Sequence, residues 1–200
     1  LPLATAVTLN YTSPLFLGVI TTILLRERLH GPLVVAVLVS FSGVLMLLEP
    51  TVRQEQLFEG ALGLGSGLLA AFAYANVKRL GASGEPSWRV VFYFTALSTV
   101  IAAIAMALTG VHALGWHNLW IVLGIGATAT IGQFAMTRAY HTGNTLVVGA
   151  LSFSTVVFSA LLGWTLWDET PAAAGWAGIG LIVAGGLMSL GTMGRLPRKT

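Results

Sequence analysis

Small polar side chains interrupt two long apolar stretches of the chain. The first cluster is Asn10, Tyr11, Thr12 and Ser13 followed by Pro14, and the second is Ser152, Ser154 and Thr155. Hydroxyl and amide groups can hydrogen-bond a polar solute. Pro14 has no N–H to donate, so it leaves the carbonyl of Asn10 free unless a side chain or water satisfies it. A single serine here is more readily explained by bonding within or between helices, but the two clusters together predict a cavity.

Five further residues extend this predicted lining: Tyr74, Asn76, Tyr93, Gln133 and Arg138. The tyrosines and amides can equally serve as interface residues or packing contacts. Arg138 lies deeper than the other basic residues, which suits a contact to an anionic group of a substrate. Alternatively, the Arg138 side chain extends toward the lipid headgroups and anchors its helix at the inner side, which explains its position equally well.

The composition places the chain in a lipid bilayer. Apolar residues make up 56% and charged residues 8%, whereas soluble domains carry about 25% charged residues. Seven apolar runs are long enough to cross a hydrocarbon core of about 30 Å as helices. They cover residues 3–25, 32–48, 60–77, 90–108, 119–136, 145–166 and 172–193. Because the runs are continuous rather than alternating, they favour helices over the strands of a barrel.

The basic residues test this count of seven crossings. Nine of them fall on one side of the membrane, and Arg53 alone falls on the other. The nine are Arg26, Arg28, Lys78, Arg79, Arg89, Arg138, Arg195, Arg198 and Lys199. Basic residues mark the cytoplasmic side, so the pattern predicts a cytoplasmic carboxy terminus, and a bacterial inner (plasma) membrane is the expected location.

The stretch 9–48 returns 142 positions later as 151–190 without a gap. The matched pairs include Leu9 with Leu151, Phe16 with Phe158, Glu27 with Glu169, Gly43 with Gly185 and Met46 with Met188. Five crossings separate the two copies, so the repeat is inverted, as in many secondary transporters. Chance similarity between two apolar hairpins is the alternative, and it explains the paired glutamates poorly.

This repeat predicts an all-α polytopic membrane protein with a five-plus-five inverted repeat, of which seven helices are present. Residues 1–49 form the last two helices of the first repeat, 50–59 an outer loop, 60–194 a complete second repeat and 195–200 a cytoplasmic tail. The first residue, Leu1, is not an initiator methionine. Because the first repeat has only two of its five helices here, three further helices are expected upstream.

Several segments resemble the EamA family of the drug/metabolite transporter superfamily. They are SPLFLGVITTILLRERL (13–29), SGVLMLL (42–48), GQFAMTRAY (132–140), LLGWTLWDE (161–169) and WAGIGLIVAGG (176–186). Each motif is loose, but together and in order they are fairly specific. The resemblance implies ten helices in two halves and transport of a small organic metabolite or drug. The family often has a proline in the ninth of its ten helices, and this chain has Val156 at that position.

Other classes of site receive little support from the sequence. With no cysteine, thiolate chemistry and cysteine-ligated metals are excluded. The four histidines lack ligand spacing, so we expect neither a metal nor a cofactor. The basic residues form no stripe that would bind nucleic acid. An intramembrane enzyme would need paired catalytic groups that the sequence does not offer.

The prediction is therefore a transporter with a small-molecule substrate that works by alternating access within the lipid bilayer. A non-transporting scaffold or truncated paralogue is the alternative. The Gly63–Gly67 spacing also admits a homodimer. The sequence leaves open the substrate, the direction of transport and the coupling ion.

Overall fold

A computed structural model describes residues 3–24, 30–49, 56–110 and 118–193, and these ranges contain helices and no strand. The helices are α1 (Leu3–Asn10), α2 (Ser13–Leu24), α3 (Gly31–Leu48), α4 (Leu57–Ala82), α5 (Ser87–Thr109), α6 (Leu119–Thr142), α7 (Thr145–Ser152), α8 (Ser154–Trp167) and α9 (Ala173–Met193). Lipid offers the backbone no hydrogen-bond partner, which is why each spanning segment satisfies its own amides in a helix.

Seven segments in the described ranges are long and apolar enough to cross a membrane, as the sequence predicts. The protein is therefore an integral membrane protein of the all-α polytopic class. Two of the seven crossings consist of a pair of short helices, α1 with α2 and α7 with α8. Helices α4 and α6 also extend past the predicted apolar runs, to Ala82 and Thr142. The segments 78–89 and 137–144, which separate the predicted apolar runs, are therefore partly helical, because a helix can continue into the headgroup region once its side chains become polar.

Helices α3 and α9, which match each other in the repeat, pack backbone against backbone. A Cβ built on Gly43 would lie 2.5 Å from the carbonyl oxygen of Gly178 and 2.9 Å from the amide of Ile182. A Cβ built on Gly185 would meet the Ser40 hydroxyl and lie 2.6 Å from the carbonyl oxygen of Ala36. Only glycine permits so close an approach.

These two sets of contacts are related by the repeat itself. Gly43 matches Gly185 in the repeat. Gly43 contacts Gly178 and Ile182 on α9, and Gly185 contacts Ala36 and Ser40 on α3, which are the matching residues 142 positions earlier. The contacts also run in opposite order along the two helices, so α3 and α9 are antiparallel. This exchange of equivalent contacts is what an inverted repeat produces.

The chain divides into two compact units. One contains residues Leu1–Ala75 and Asn144–Thr200, and the other contains Asn76–Gly143. The core of the first unit joins α3, α7, α8 and α9 through Val44, Val147, Phe153, Val157 and Ile182. In this unit α7 begins at a defined residue, because the Asn144 side chain accepts hydrogen bonds from the amides of Leu146 (3.1 Å) and Val147 (3.3 Å).

Candidate functional site

The first polar cluster lies where the first crossing breaks. Helix α1 ends at Asn10 and α2 begins at Ser13, so Tyr11 and Thr12 form a turn between them. The Thr12 hydroxyl donates to the carbonyl of Leu9 at 2.6 Å, and the Thr12 carbonyl accepts from Leu15 (3.0 Å) and Phe16 (3.2 Å). Pro14, next to the turn, cannot donate into the α-helical pattern, which explains the interruption at this point.

The second polar cluster lies at a matching break. Helix α7 ends at Ser152 and α8 begins at Ser154, with Phe153 between them. The Ser154 hydroxyl donates to the carbonyl of Leu151 at 2.7 Å. Thr12 and Leu9 occupy the equivalent positions 142 residues earlier, so both breaks carry the same side-chain hydrogen bond. The sequence predicts polar interruptions at equivalent positions, and the helices end there in both copies.

The two breaks meet through their aromatic residues. The rings of Tyr11 and Phe153, which match each other in the repeat, are 5.8 Å apart between centroids, and Phe41 lies 6.2 Å from Phe153. The side chain of Thr155 lies near the Tyr11 hydroxyl. Tyr74 lies near Tyr11 as well. The break residues, Tyr74 and Thr155 therefore form one group within the first unit.

Helix α4 supports the first break through a small residue and a hydroxyl. A Cβ on Gly67 would lie 2.5 Å from the Thr12 hydroxyl and 2.9 Å from the carbonyl oxygen of Leu9. One residue earlier, the Ser66 hydroxyl accepts a hydrogen bond from the Asn10 amide at 3.1 Å. Gly63 packs on Leu9. The Gly63–Gly67 spacing thus serves packing within the chain, and the predicted homodimer gains no support from it.

Two cavities of unequal size lie beside the broken helices. The larger, of about 590 Å³, is lined by Val7, Tyr11, Leu47, Leu48, Val156, Ser159, Ala160, Glu169, Thr170 and Pro171. The smaller, of about 100 Å³, is lined by Pro14, Leu15, Gly18, Val19, Val34, Val37 and Leu146. Val156 and Ala160 of the larger cavity match Pro14 and Gly18 of the smaller one in the repeat. Two residues of each lining are thus repeat partners, and the cavities differ about sixfold in volume.

Residues 58–191 match the family described as the EamA-like transporter family. The match covers both helices of the second break and most of the described chain. The chain belongs to the EamA-like transporter family.

Known EamA-like relatives include named transporters. The pseudopaline exporter CntI of Pseudomonas aeruginosa is 31% identical over 188 residues, which cover 94% of this chain and 63% of that protein. A riboflavin transporter of Vibrio cholerae is 26% identical over 183 residues, covering 91% of this chain and 60% of that protein. The chain thus spans less than two thirds of the length of either relative.

The fold also occurs in a solved crystal structure. That structure superposes with a TM-score of 0.84 at 22% sequence identity, and the alignment covers 98% of this chain and 69% of the other. At this identity the likeness concerns the fold alone.

Four predicted site residues of this EamA-like chain lie in the second unit. Asn76 and Arg138 are exposed, Gln133 is half-buried and Tyr93 is exposed. Arg138 lines a cavity of about 610 Å³ together with Trp88 and His141, whereas Tyr93 lines a separate cavity of about 310 Å³. The structure thus places eight candidates of the first unit at the two breaks and Tyr74 near Tyr11. Tyr93 and Arg138 lie at different cavities of the second unit.

Sequence reasoning missed three residues of the first unit that contribute to this site. Phe153 is fully buried between the two short helices and contacts Tyr11. The repeat offset points directly to it as the match of Tyr11, but its apolar side chain did not suggest a site. The sequence offers weaker signals for Gly67 and Glu169 as site residues. Gly67 is one of 24 glycines, and Glu169 lies in a turn between two apolar runs.

Proposed function

We propose that this chain forms part of a secondary transporter that moves a small organic solute across a bacterial inner membrane by alternating access, with its carboxy terminus in the cytoplasm. One observation carries the proposal: both copies of an inverted repeat break at equivalent positions, and the breaks contact each other through Tyr11 and Phe153. Discontinuous helices free backbone groups at mid-membrane, where they can bind a solute. The named transporters among its relatives support the same function.

The proposed binding residues of the first unit are Asn10, Tyr11, Thr12, Ser13, Pro14, Tyr74, Ser152, Ser154 and Thr155. Asn76, Tyr93, Gln133 and Arg138 remain predictions. Three of the hydroxyls, those of Thr12, Ser152 and Ser154, already donate to a nearby carbonyl, the Ser152 hydroxyl to that of Gly149 at 2.7 Å. Each retains acceptor lone pairs for a solute.

Replacing Ser152 or Asn10 with leucine should remove solute flux while leaving the protein folded. A hydrogen bond to the solute is worth about 1.5 kcal/mol, so its loss alone lowers the rate roughly tenfold, and the larger side chain obstructs the cavity as well. Flux of candidate metabolites into proteoliposomes that contain the full-length protein measures the effect.

The matched control for this experiment is Ser42→Leu. Ser42 is an exposed helical serine that donates to the carbonyl of Leu38 at 2.9 Å, far from either break in the sequence. Its replacement should leave the flux unchanged. Normal flux in both the Ser152→Leu and the Asn10→Leu variants would contradict the site, and a wild-type protein without saturable flux would favour the scaffold.

The unequal cavities correspond to a carrier open on one side of the membrane. The larger cavity reaches Glu169 and Pro171, which lie on the outer side in the proposed orientation. On the opposite side Gly149 packs tightly against Pro14, since a Cβ on the glycine would lie 3.0 Å from the proline ring. We propose that this contact closes the inner path.

Cysteine labelling tests the proposed open side, because the chain has no cysteine of its own. An impermeant maleimide added outside should label the Ser159→Cys variant, at the larger cavity, at least about tenfold faster than the Leu15→Cys variant at the smaller one. Equal rates, or labelling of Ser159→Cys from the cytoplasmic side alone, would contradict an outward-open state. Labelling after membrane permeabilisation controls for the reactivity of each thiol.

A further inference from the structure

Among the described residues, the lining of the larger cavity combines an apolar wall with one charged side chain, that of Glu169. Val7, Leu47, Leu48 and Val156 supply apolar surface, while the hydroxyls of Tyr11 and Ser159 and the carboxylate of Glu169 supply polar groups. A volume of about 590 Å³ falls in the range of small-molecule sites, about 300–1,000 Å³. The lining therefore suits an amphipathic organic solute.

The Glu169 carboxylate lies against the end of a helix. The backbone amide of Glu169 donates to the carbonyl of Gly163 at 3.2 Å. The Oε2 atom of Glu169 lies 3.0 Å from the position that a Cβ of Gly163 would take. Gly163 is buried in α8, so the absence of its side chain gives the carboxylate room to fold over the helix. The carboxyl end of a helix carries a partial negative charge, so two negative groups are adjacent at this point.

The described part of the first unit supplies no permanently charged cation to balance this charge. Its described ranges contain no lysine or arginine, and its titratable side chains other than tyrosine are Glu49, Glu59, Asp168, Glu169 and His30. Across the full sequence, five of the seven acidic residues lie in the segments 49–59 and 168–171, against one arginine, Arg53. Helix α3 also ends here, at Leu48 of the cavity wall.

We infer that this cavity binds an amphipathic organic cation, with Glu169 facing its ammonium or guanidinium group and the apolar wall holding its hydrocarbon part. This inference rests on the proposed function and specifies its substrate class. Helix α9 begins near Pro171 and presents the opposite partial charge, so an anionic probe is a necessary arm of the test.

Binding of three probes of equal size tests the charge preference. They are 1-naphthylmethylamine, 1-naphthalenemethanol and 1-naphthoate, measured by equilibrium dialysis with the full-length protein at neutral pH. The amine should bind most tightly and the carboxylate least. In the Glu169→Gln variant the affinity for the amine should fall roughly five- to tenfold while that for the alcohol is unchanged, since only the charge has been removed.

The Glu59→Gln variant is the matched control, because it removes the same charge from an exposed residue in the first turn of α4 that does not line this cavity. It should keep the preference for the amine. Protection of the Ser159→Cys variant from maleimide by the amine would place the probe in the cavity.

Three results would overturn the inference: equal binding of amine and alcohol to the wild-type protein, an unchanged preference in Glu169→Gln, or no binding of any probe. None of these outcomes alters the flux measured for the Asn10→Leu and Ser152→Leu variants. Failure of the substrate class is thereby distinguished from failure of the transporter proposal.

Discussion

Alanine at Gly43 or at Gly185 should each destabilise the protein by about 1–3 kcal/mol, the usual cost of overpacking. The added methyl group would lie 2.5 Å from the carbonyl oxygen of Gly178 in the first variant and 2.6 Å from that of Ala36 in the second. Backbone atoms of a packed helix cannot rotate away as a flexible side chain can. Helices α3 and α9 must therefore separate, and their contact is a central part of the described core.

The Gly180→Ala variant controls for the substitution itself. Gly180 lies on α9 between Gly178 and Gly185, and a Cβ there would meet nothing within 4 Å. Alanine also favours a helix over glycine by up to about 1 kcal/mol, so this variant should be at least as stable as the wild type. Thermal unfolding in detergent, followed by tryptophan fluorescence, measures all three variants. A Gly185→Ala protein that unfolds at the wild-type temperature would contradict the described packing.

The two substitutions also test the repeat. Because their contacts are equivalent, Gly43→Ala and Gly185→Ala should cost similar free energy although they lie on different helices. Ser40 stands where Ile182 stands in the other copy, so the local neighbours differ in size and polarity. A moderate difference between the variants is consistent with this, whereas a large effect from one alone would show that the contacts are not equivalent.

The sequence predicts the crossings of this protein better than their interruptions. Seven apolar runs give seven crossings, because in lipid a continuous apolar stretch has no stable alternative to a helix. The break at Tyr11 was signalled by Pro14, whose ring fixes the point of interruption. The break at Phe153 has no proline, since Val156 takes the equivalent position. At this break Phe153 is buried, and the Ser154 hydroxyl donates to the carbonyl of Leu151.

Site prediction was limited for a related physical reason. Polar residues in an apolar run are conspicuous, so Asn10, Thr12 and Ser152 could be selected from the sequence. The residues that shape the site through size or packing, Gly67 and Phe153, look like ordinary membrane residues until the helices are placed together. The residue at which a crossing ends is also hard to predict from sequence. Helix α8 ends at Trp167, and Glu169, just beyond this end, lines the larger cavity.

Valine at Gly67 should abolish transport, and it should do so through the first break. The Cβ would lie 2.5 Å from the Thr12 hydroxyl, 2.9 Å from the Leu9 carbonyl oxygen and 3.2 Å from the Asn10 carbonyl oxygen. The turn must then move away from α4, which displaces Tyr11 and removes the hydrogen bond from Asn10 to Ser66. A displacement of about 1 Å in a binding site can reduce a rate by roughly a hundredfold.

The Gly65→Val variant separates this effect from a general weakening of α4. Gly65 lies two residues away on the same helix, and a Cβ there would meet nothing within 4 Å. Both substitutions change the helix propensity of α4 by the same amount. A difference in flux between the variants therefore reports the contact of residue 67 with the first break. Flux into proteoliposomes, normalised to folded protein, should approach background for Gly67→Val and stay near wild type for Gly65→Val. Equal flux in the two would show that the turn at Tyr11 can move without consequence, and the break would then have no part in binding the solute.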